Sequence, residues 1–233
     1  MKLPIDSDSP FVAVVTGSSS GIGQAIAREF AARGAHVLVH ACSNLEGLAE
    51  TVGCVRSQGI DRLQGTDSWQ GAAIGSGDSV RCAVADLRSR SSVFELARGA
   101  FAWRGYVNAW IHAAGADVLT GDASALRFAD KLTRLWETDV LGTILLSRRV
   151  GVLMQRHPPP HASLPSMVHL GWDQADQGME GDSGQYFSAV KAAVAAFSKS
   201  LAKSLAPHVR VNCVAPGWIQ TDWGRGASDA WSQ

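Results

Sequence analysis

Residues Val12 to Gly23 read V-A-V-V-T-G-S-S-S-G-I-G, and this stretch decides the fold. An apolar, largely β-branched run from Phe11 to Val15 ends in a turn carrying Gly17, Gly21 and Gly23. A helical pattern follows at once, with Ile22, Ile26 and Phe30 four residues apart on one face. Strand, glycine turn and helix together let backbone N–H groups and a helix N-terminus meet a pyrophosphate. Gly17 and Gly21 suit positive φ and close backbone approach, and Gly23 lets the helix pack tightly on the strand. The spacing is G-x3-G-x-G rather than G-x-G-x-x-G. A glycine turn alone also fits a plain loop; the strand and helix around it are what point to a nucleotide.

The composition is that of a globular chain. Of 233 residues, 46% are hydrophobic and 18% charged, enough apolar material for one large α/β domain over residues 1–233. Lys plus Arg equals Asp plus Glu at 21 each, so no electrostatic footprint points to nucleic acid or an anionic membrane. Met1 to Pro10 has no long apolar core of a secretion signal, and no later run approaches the length of a membrane span. Cys42, Cys54, Cys82 and Cys213 lie far apart without C-x-x-C spacing. They read as small apolar residues in a reducing compartment, with neither metal nor disulfide, and the expected location is the cytoplasm.

Further along, strands and helices alternate. His36 to His40 is a short apolar strand, and its tip, Ala41-Cys42-Ser43-Asn44, bears neither acid nor base. An acidic residue there would bond the ribose of NAD. Its absence removes repulsion of a 2′-phosphate and tips the expectation toward NADP(H) over NAD(H). Leu45 to Val55 reads as helix, and residues 59–77 as an inserted surface loop in which Trp69 anchors its own loop or caps a pocket. Val80 to Ala85 is a third strand ending at Asp86-Leu87; Asp86 is placed to accept from an adenine amino group, while the polar residues just after it are equally suited to capping the helix Ser91 to Ala100. Val107 to Ala114 is a fourth strand, closing in the small residues Ala113-Ala114-Gly115.

Ala129 to Met154 reads as one long helix in which Gly142 permits close packing, and Ser166 to Leu170 as a fifth strand. The loop after it holds Asp173, Asp176, Glu180 and Asp182, either solvated charges or an acid or base. A helix from Ser188 to Leu205 shows Ala189, Ala193, Phe197, Leu201 and Leu205 at every fourth residue, and Val209 to Val214 is a sixth strand. The pattern predicts a doubly wound parallel sheet with helices on both faces, a Rossmann-type three-layer fold whose strand tips line one crevice.

These residues together resemble the short-chain dehydrogenase/reductase family, in its 3-oxoacyl-carrier-protein reductase-like branch. Thr16 to Gly23 is similar to its cofactor turn, which implies cofactor roles for Gly17, Ser19, Ser20, Gly21, Ile22 and Gly23. Asp86-Leu87 matches its adenine contact, and Ala113 to Gly115 is a partial match to its N-A-G segment, with Ala114 and Gly115 facing the cofactor. Arg210 to Thr221 matches the segment leading to the nicotinamide, implying roles for Pro216, Gly217, Ile219 and Thr221. Lys191 matches the active-site lysine, which holds the ribose. The resemblance implies hydride transfer between NAD(P)H and a small carbonyl or alcohol substrate, and homodimers or homotetramers built on the two long helices. It also implies a substrate-covering helix and a last strand beyond Thr221, so this chain is expected to lack that strand.

Four positions depart from the family pattern. Phe187, with no proton to give, stands four residues before Lys191, where the family has its proton-donating Tyr. Tyr186 is adjacent but rotated by roughly 100° on a regular helix, and reaches the site only if that helix starts late. Asp139 occupies the place of the relay Asn, Gly171 and Trp172 the region of the Ser, and Ala113 replaces the Asn of the N-A-G segment. Lys191, Tyr186 and Asp139 are the catalytic candidates. Three readings stay open: a reductase with rearranged acid–base groups, a catalytically silent dinucleotide-binding sensor or scaffold, and a truncated inactive member.

Overall fold

The alternation of apolar runs and amphipathic stretches resolves into one sheet with helices on both faces. The computed structural model describes residues 9–58, 75–76, 79–160, 163–219 and 221. In chain order the elements are β1 (Val12–Thr16), α1 (Gly21–Ala32), β2 (His36–Ala41), α2 (Leu45–Gln58), β3 (Gly75–Ser76), β4 (Val80–Val84), α3 (Arg90–Arg104), β5 (Ala109–His112), α4 (Phe128–Leu135), α5 (Thr143–Arg156), β6 (Ser166–Leu170), α6 (Gly181–Leu205) and β7 (Arg210–Val214). A π-helical segment, Trp136–Gly142, joins α4 to α5.

Spatially the strands run β3-β4-β2-β1-β5-β6-β7, and every pairing is parallel except that of the two-residue β3 with β4. Setting β3 aside, chain order reverses at β1, so the tips of β1 and β5 open a crevice at the switch point, as in a doubly wound sheet. All five residues of β1 are buried, as expected of a central strand covered on both faces. Val12 and Val14 pack with Leu38, Trp110 and Met167 under α3, α5 and α6. Val15 packs with Val37, Val39 and Ile111 under α1 and α2. A third cluster, Val118, Leu119, Leu135, Val140, Tyr186, Val190 and Val194, sits beside the crevice.

Beneath the α5 and α6 side lies a polar layer with no counterpart in the sequence reading. His112, at the end of β5, is in register with His169 of β6, and their rings stack at 4.7 Å. The Ser147 hydroxyl of α5 bridges the Nε2 atoms of both, at 3.0 and 2.8 Å. The Ser198 hydroxyl of α6 is hydrogen-bonded to the other His169 nitrogen at 2.9 Å, and donates to the Val194 carbonyl. Burial pushes His169 down to about 4, and burial together with the neighbouring imidazole pushes His112 well below its usual range. The layer ties two helices to two strands while both rings stay neutral.

Several expectations need correction. The last long helix begins at Gly181, not near Ser188, so Tyr186 lies well inside helical phase. Its buried face is Tyr186, Val190, Val194, Ser198, Leu201 and Leu205, one residue away from the alanine stripe over most of its length. Alanine periodicity misled because Ser198 and Tyr186 are buried with their hydroxyls hydrogen-bonded, which a count of apolar residues does not register. The helix expected over 129–154 spans 128–156 but carries the π-helical segment at its centre. The fourth strand is shorter than expected, because Ala113 to Gly115 leaves the ladder to line the crevice. Of the inserted loop only Gly75–Ser76 is described here, and Trp69 lies outside the described residues. Among the described residues, no helix is long and apolar enough to cross a membrane.

Candidate active site

The glycine turn is built by close approach. Gly17 has φ +67°, and a Cβ there would lie 2.5 Å from the Ala114 Cα, so the turn is pressed against the Ala113–Gly115 segment. The Ala114 N–H donates to the Thr16 hydroxyl, fixing that contact. A Cβ on Gly23 would collide with the Gly17 carbonyl, so only glycine lets α1 start this close to the turn. At the N-cap of α1, Ser20 makes no side-chain capping bond, and the first turn carries no acidic residue. The positive helix terminus therefore keeps its pull on an anion, and the cradle fits the pyrophosphate of a dinucleotide. Ser19 is half-buried and Ser20 exposed on its rim, with Ile22 half-buried behind them.

Residues that motif reading passed over hold this turn from behind. Asn44 donates to the Ser19 carbonyl, and its own side-chain oxygen accepts from the Gly47 N–H at the start of α2. Thr51 donates to the Ser18 carbonyl. His40 accepts from the Gly17 N–H through Nδ1 at 3.2 Å and meets the Ala85 carbonyl through Nε2 at 3.0 Å. The available signal was an Asn three residues ahead of a Gly at a helix start, which reads as an N-cap rather than as a brace.

Just beyond the end of β4, the Asp86 carboxylate accepts from both the backbone N–H and the guanidinium of Arg88, which holds it below the usual carboxylate range. Leu87 is buried, and Gly142 packs against it. Cys42, at the β2 tip, feels the charges of Asp86, Arg88 and Arg134, while burial is the largest cause of its raised pKa. One acid and two cations, Arg88 being paired with Asp86, thus act on a tip that shows no charge in sequence.

At the far end of the crevice, the Lys191 ammonium bonds the Asp139 carboxylate at 3.0 Å, with side-chain exposures of 19% and 3%. The other Asp139 oxygen accepts from the Ala116 N–H at 2.8 Å, and Gly115 backs onto the same carboxylate. Asp139 lies in the π-helical segment, an irregularity that re-aims side chains. Tyr186 is 1% exposed, its hydroxyl donates to Ser183, and burial is the main cause of its raised pKa. Its ring packs in the third cluster and against Phe128. Phe187, one turn before Lys191 on the same face, meets the Trp172 ring edge-on at 6.3 Å. Asp173, Asp176, Glu180 and Asp182 are all exposed. After β7, Pro216 accepts from the Asp173 N–H, Gly217 lies beside the Asp173 carboxylate, and Ile219 is exposed. Thr221 returns to Gly21, whose added Cβ would meet the Thr221 methyl at 3.5 Å.

A sequence profile of the family described as short chain dehydrogenase matches residues 11–230. The chain belongs to the short-chain dehydrogenase/reductase family. It thereby falls among the NAD(P)-dependent oxidoreductases, which act on small molecules and are typically oligomeric. It is 33% identical over 224 residues to the 3-oxoacyl-[acyl-carrier-protein] reductase FabG of Escherichia coli (strain K12), covering 94% of this chain and 77% of that one. To the 3beta-hydroxysteroid dehydrogenase 1 of Eggerthella lenta it is 29% identical over 213 residues, covering 89% and 70%. Among solved structures, it superposes on an actinorhodin polyketide ketoreductase variant with NADPH at a TM-score of 0.77 and 24% identity, covering 100% and 78%. A family member from Shigella flexneri complexed with NADP gives a TM-score of 0.74 at 21% identity, covering 94% and 82%. At those identities the two structures establish the fold.

Proposed function

We propose that the chain, acting as a single NAD(P)-binding domain, catalyses NADP(H)-linked interconversion of a small carbonyl compound and its alcohol, with the Lys191–Asp139 pair as the acid–base centre. The observation that carries the reading is this ion pair, at the crevice that begins at the glycine turn. When bound, the nicotinamide cofactor supplies the hydride to the carbonyl carbon or accepts it back. The proton comes from the Lys191 ammonium, which gives it to the substrate oxygen as that oxygen gains charge and recovers it from solvent through its exposed side. Like a phenol, an alkylammonium carries a proton that it can give to a substrate oxygen as that oxygen gains charge. Asp139 holds the ammonium at one angle. Gly17 to Gly23 and the start of α1 receive the pyrophosphate, while Asp86, Leu87, Ala114, Gly115, Pro216, Gly217, Ile219 and Thr221 line the remaining cofactor path.

Preference for NADP(H) rests on the absence of an acidic side chain at the tip of β2, Ala41 to Asn44, where a carboxylate would repel a 2′-phosphate. The aromatic wall of Phe187 and Trp172 favours a substrate with an apolar group beside its carbonyl. The same wall also favours a second reading, a dinucleotide-binding sensor or scaffold without turnover, because Phe187 has no proton to give and the Tyr186 hydroxyl is spent on Ser183. A panel of ketones and aldehydes with NADPH separates the two. Under the first reading, Lys191→Met lowers turnover by roughly two to four orders of magnitude, the worth of general acid catalysis. Tyr186→Phe leaves turnover within about twofold, since removing a hydroxyl directed at Ser183 takes nothing from the proton path. No turnover of any carbonyl by a protein that binds NADPH selects the second reading.

A further inference from the structure

We infer that His40 is a positioning residue for the cofactor turn: its neutral imidazole is a strap between the Gly17 amide and the end of β4. The inference rests on the dinucleotide-binding reading and adds to it a side chain outside the glycine motif. Its roles follow from its partners. A backbone N–H can only donate, so Nδ1 must accept from Gly17; a carbonyl can only accept, so Nε2 must carry the proton given to Ala85. One tautomer satisfies both, and the ring is fully buried. The backbone of the same residue is engaged as well. The His40 N–H donates to the Ser18 hydroxyl at 2.8 Å, and its carbonyl accepts from the Ser18 N–H at 2.9 Å.

Residue 40 thus grips both Gly17 and Ser18, the first two positions after β1. Asn44 and Thr51 hold only carbonyls of the turn. His40 holds an amide, and that amide belongs to the residue with φ +67° pressed against Ala114. Without an acceptor, the half-buried N–H at this point would draw the turn toward another partner and re-aim the amides that follow it. The second bond reaches Ala85, next to Asp86, so one ring sets the spacing between the pyrophosphate and adenine ends of the crevice.

Two substitutions separate the bonds. In His40→Asn, the side-chain oxygen falls near the Nδ1 position and keeps the Gly17 acceptor. In His40→Gln, the terminal amide reaches the Nε2 position and keeps the donor to Ala85, but the Gly17 N–H loses its acceptor. NADPH titrations of the wild-type protein and both variants should give His40→Asn within about threefold of wild type and His40→Gln about tenfold weaker, the cost of one lost hydrogen bond to a half-buried N–H. In the cofactor-free protein, amide exchange over residues 16–20 should quicken in His40→Gln alone, at similar melting temperatures of the two variants. Equal affinity of His40→Gln and wild type overturns the strap, as does an equal loss in both variants. Wild type that binds no NADPH overturns the cofactor reading itself, and the strap's role with it. A readout without variants is the ¹⁵N spectrum of the His40 ring: the Nε2–H tautomer supports the strap, and the Nδ1–H tautomer overturns it.

Discussion

Acidification should unfold this protein well above the pH at which its carboxylates titrate, because three imidazoles are buried neutral. His40 and His169 are each pushed from the ordinary 6.5 down to about 4 by burial, and His112 also lies well below its usual range. In the unfolded chain all three regain ordinary values, so between pH 6.5 and 4 the unfolded state binds more protons than the folded one. Stability therefore falls as pH falls through that window, and is fully present above it. At about 1.4 kcal/mol per pH unit, His40 and His169 each account for about 3 kcal/mol lost between pH 6.5 and pH 4. Together that is comparable to the whole net stability of many domains, 5–15 kcal/mol. Urea unfolding at pH 7.5, 6.5, 5.5 and 4.5 measures it. The unfolding free energy should change little between the first two and then drop by about 3 kcal/mol per pH unit or more, carrying the urea midpoint down with it. Replacing His169 by Asn should remove about 1.4 kcal/mol per unit from that slope. A midpoint that stays flat from pH 6.5 to 4.5 would refute the burial of these rings as neutral groups.

Gly17→Ala combines a strained positive φ with a Cβ 2.5 Å from the Ala114 backbone; it should lower the melting temperature and abolish saturable NADPH binding in a fluorescence titration. Asp139→Leu strands the Lys191 ammonium in a partly buried site and should cost about 3 kcal/mol in denaturant unfolding, whereas Asp139→Asn, which keeps an acceptor for Ala116, should cost less than half of that. Ser147→Ala removes the bridge between His112 and His169 and should cost about 1–3 kcal/mol, with NADPH affinity unchanged by the same titration.

The fold was legible because its signals are local and repeated: apolar runs of strand length, glycine at the first tip, and small residues at the fourth. Parallel order followed from the spacing between them. Legibility ended where a polar side chain works inside the core. Tyr186 read as a donor near the site because helix phase could not be set without the true start at Gly181, which is exposed and carries a left-handed φ of +79°. His112, Ser147, His169 and Ser198 are far apart in sequence and meet only because β5 and β6 are neighbours in register. Lys191 was visible through its place in a motif, but its pairing with Asp139 depends on a π-helical segment that no periodicity announces. Asp86, Arg88 and Arg134 act on the β2 tip only through the crossovers, so a tip without charge in sequence has both signs of charge around it in space.

The most direct test of the account is a parallel titration of the purified protein with NADPH and with NADH, followed by quenching of its Trp fluorescence and checked by calorimetry. The account predicts saturable one-to-one binding in the micromolar range, tighter for NADPH. Saturation by neither would contradict it, since the glycine turn, the uncapped start of α1 and Lys191 would then form a crevice that takes no dinucleotide.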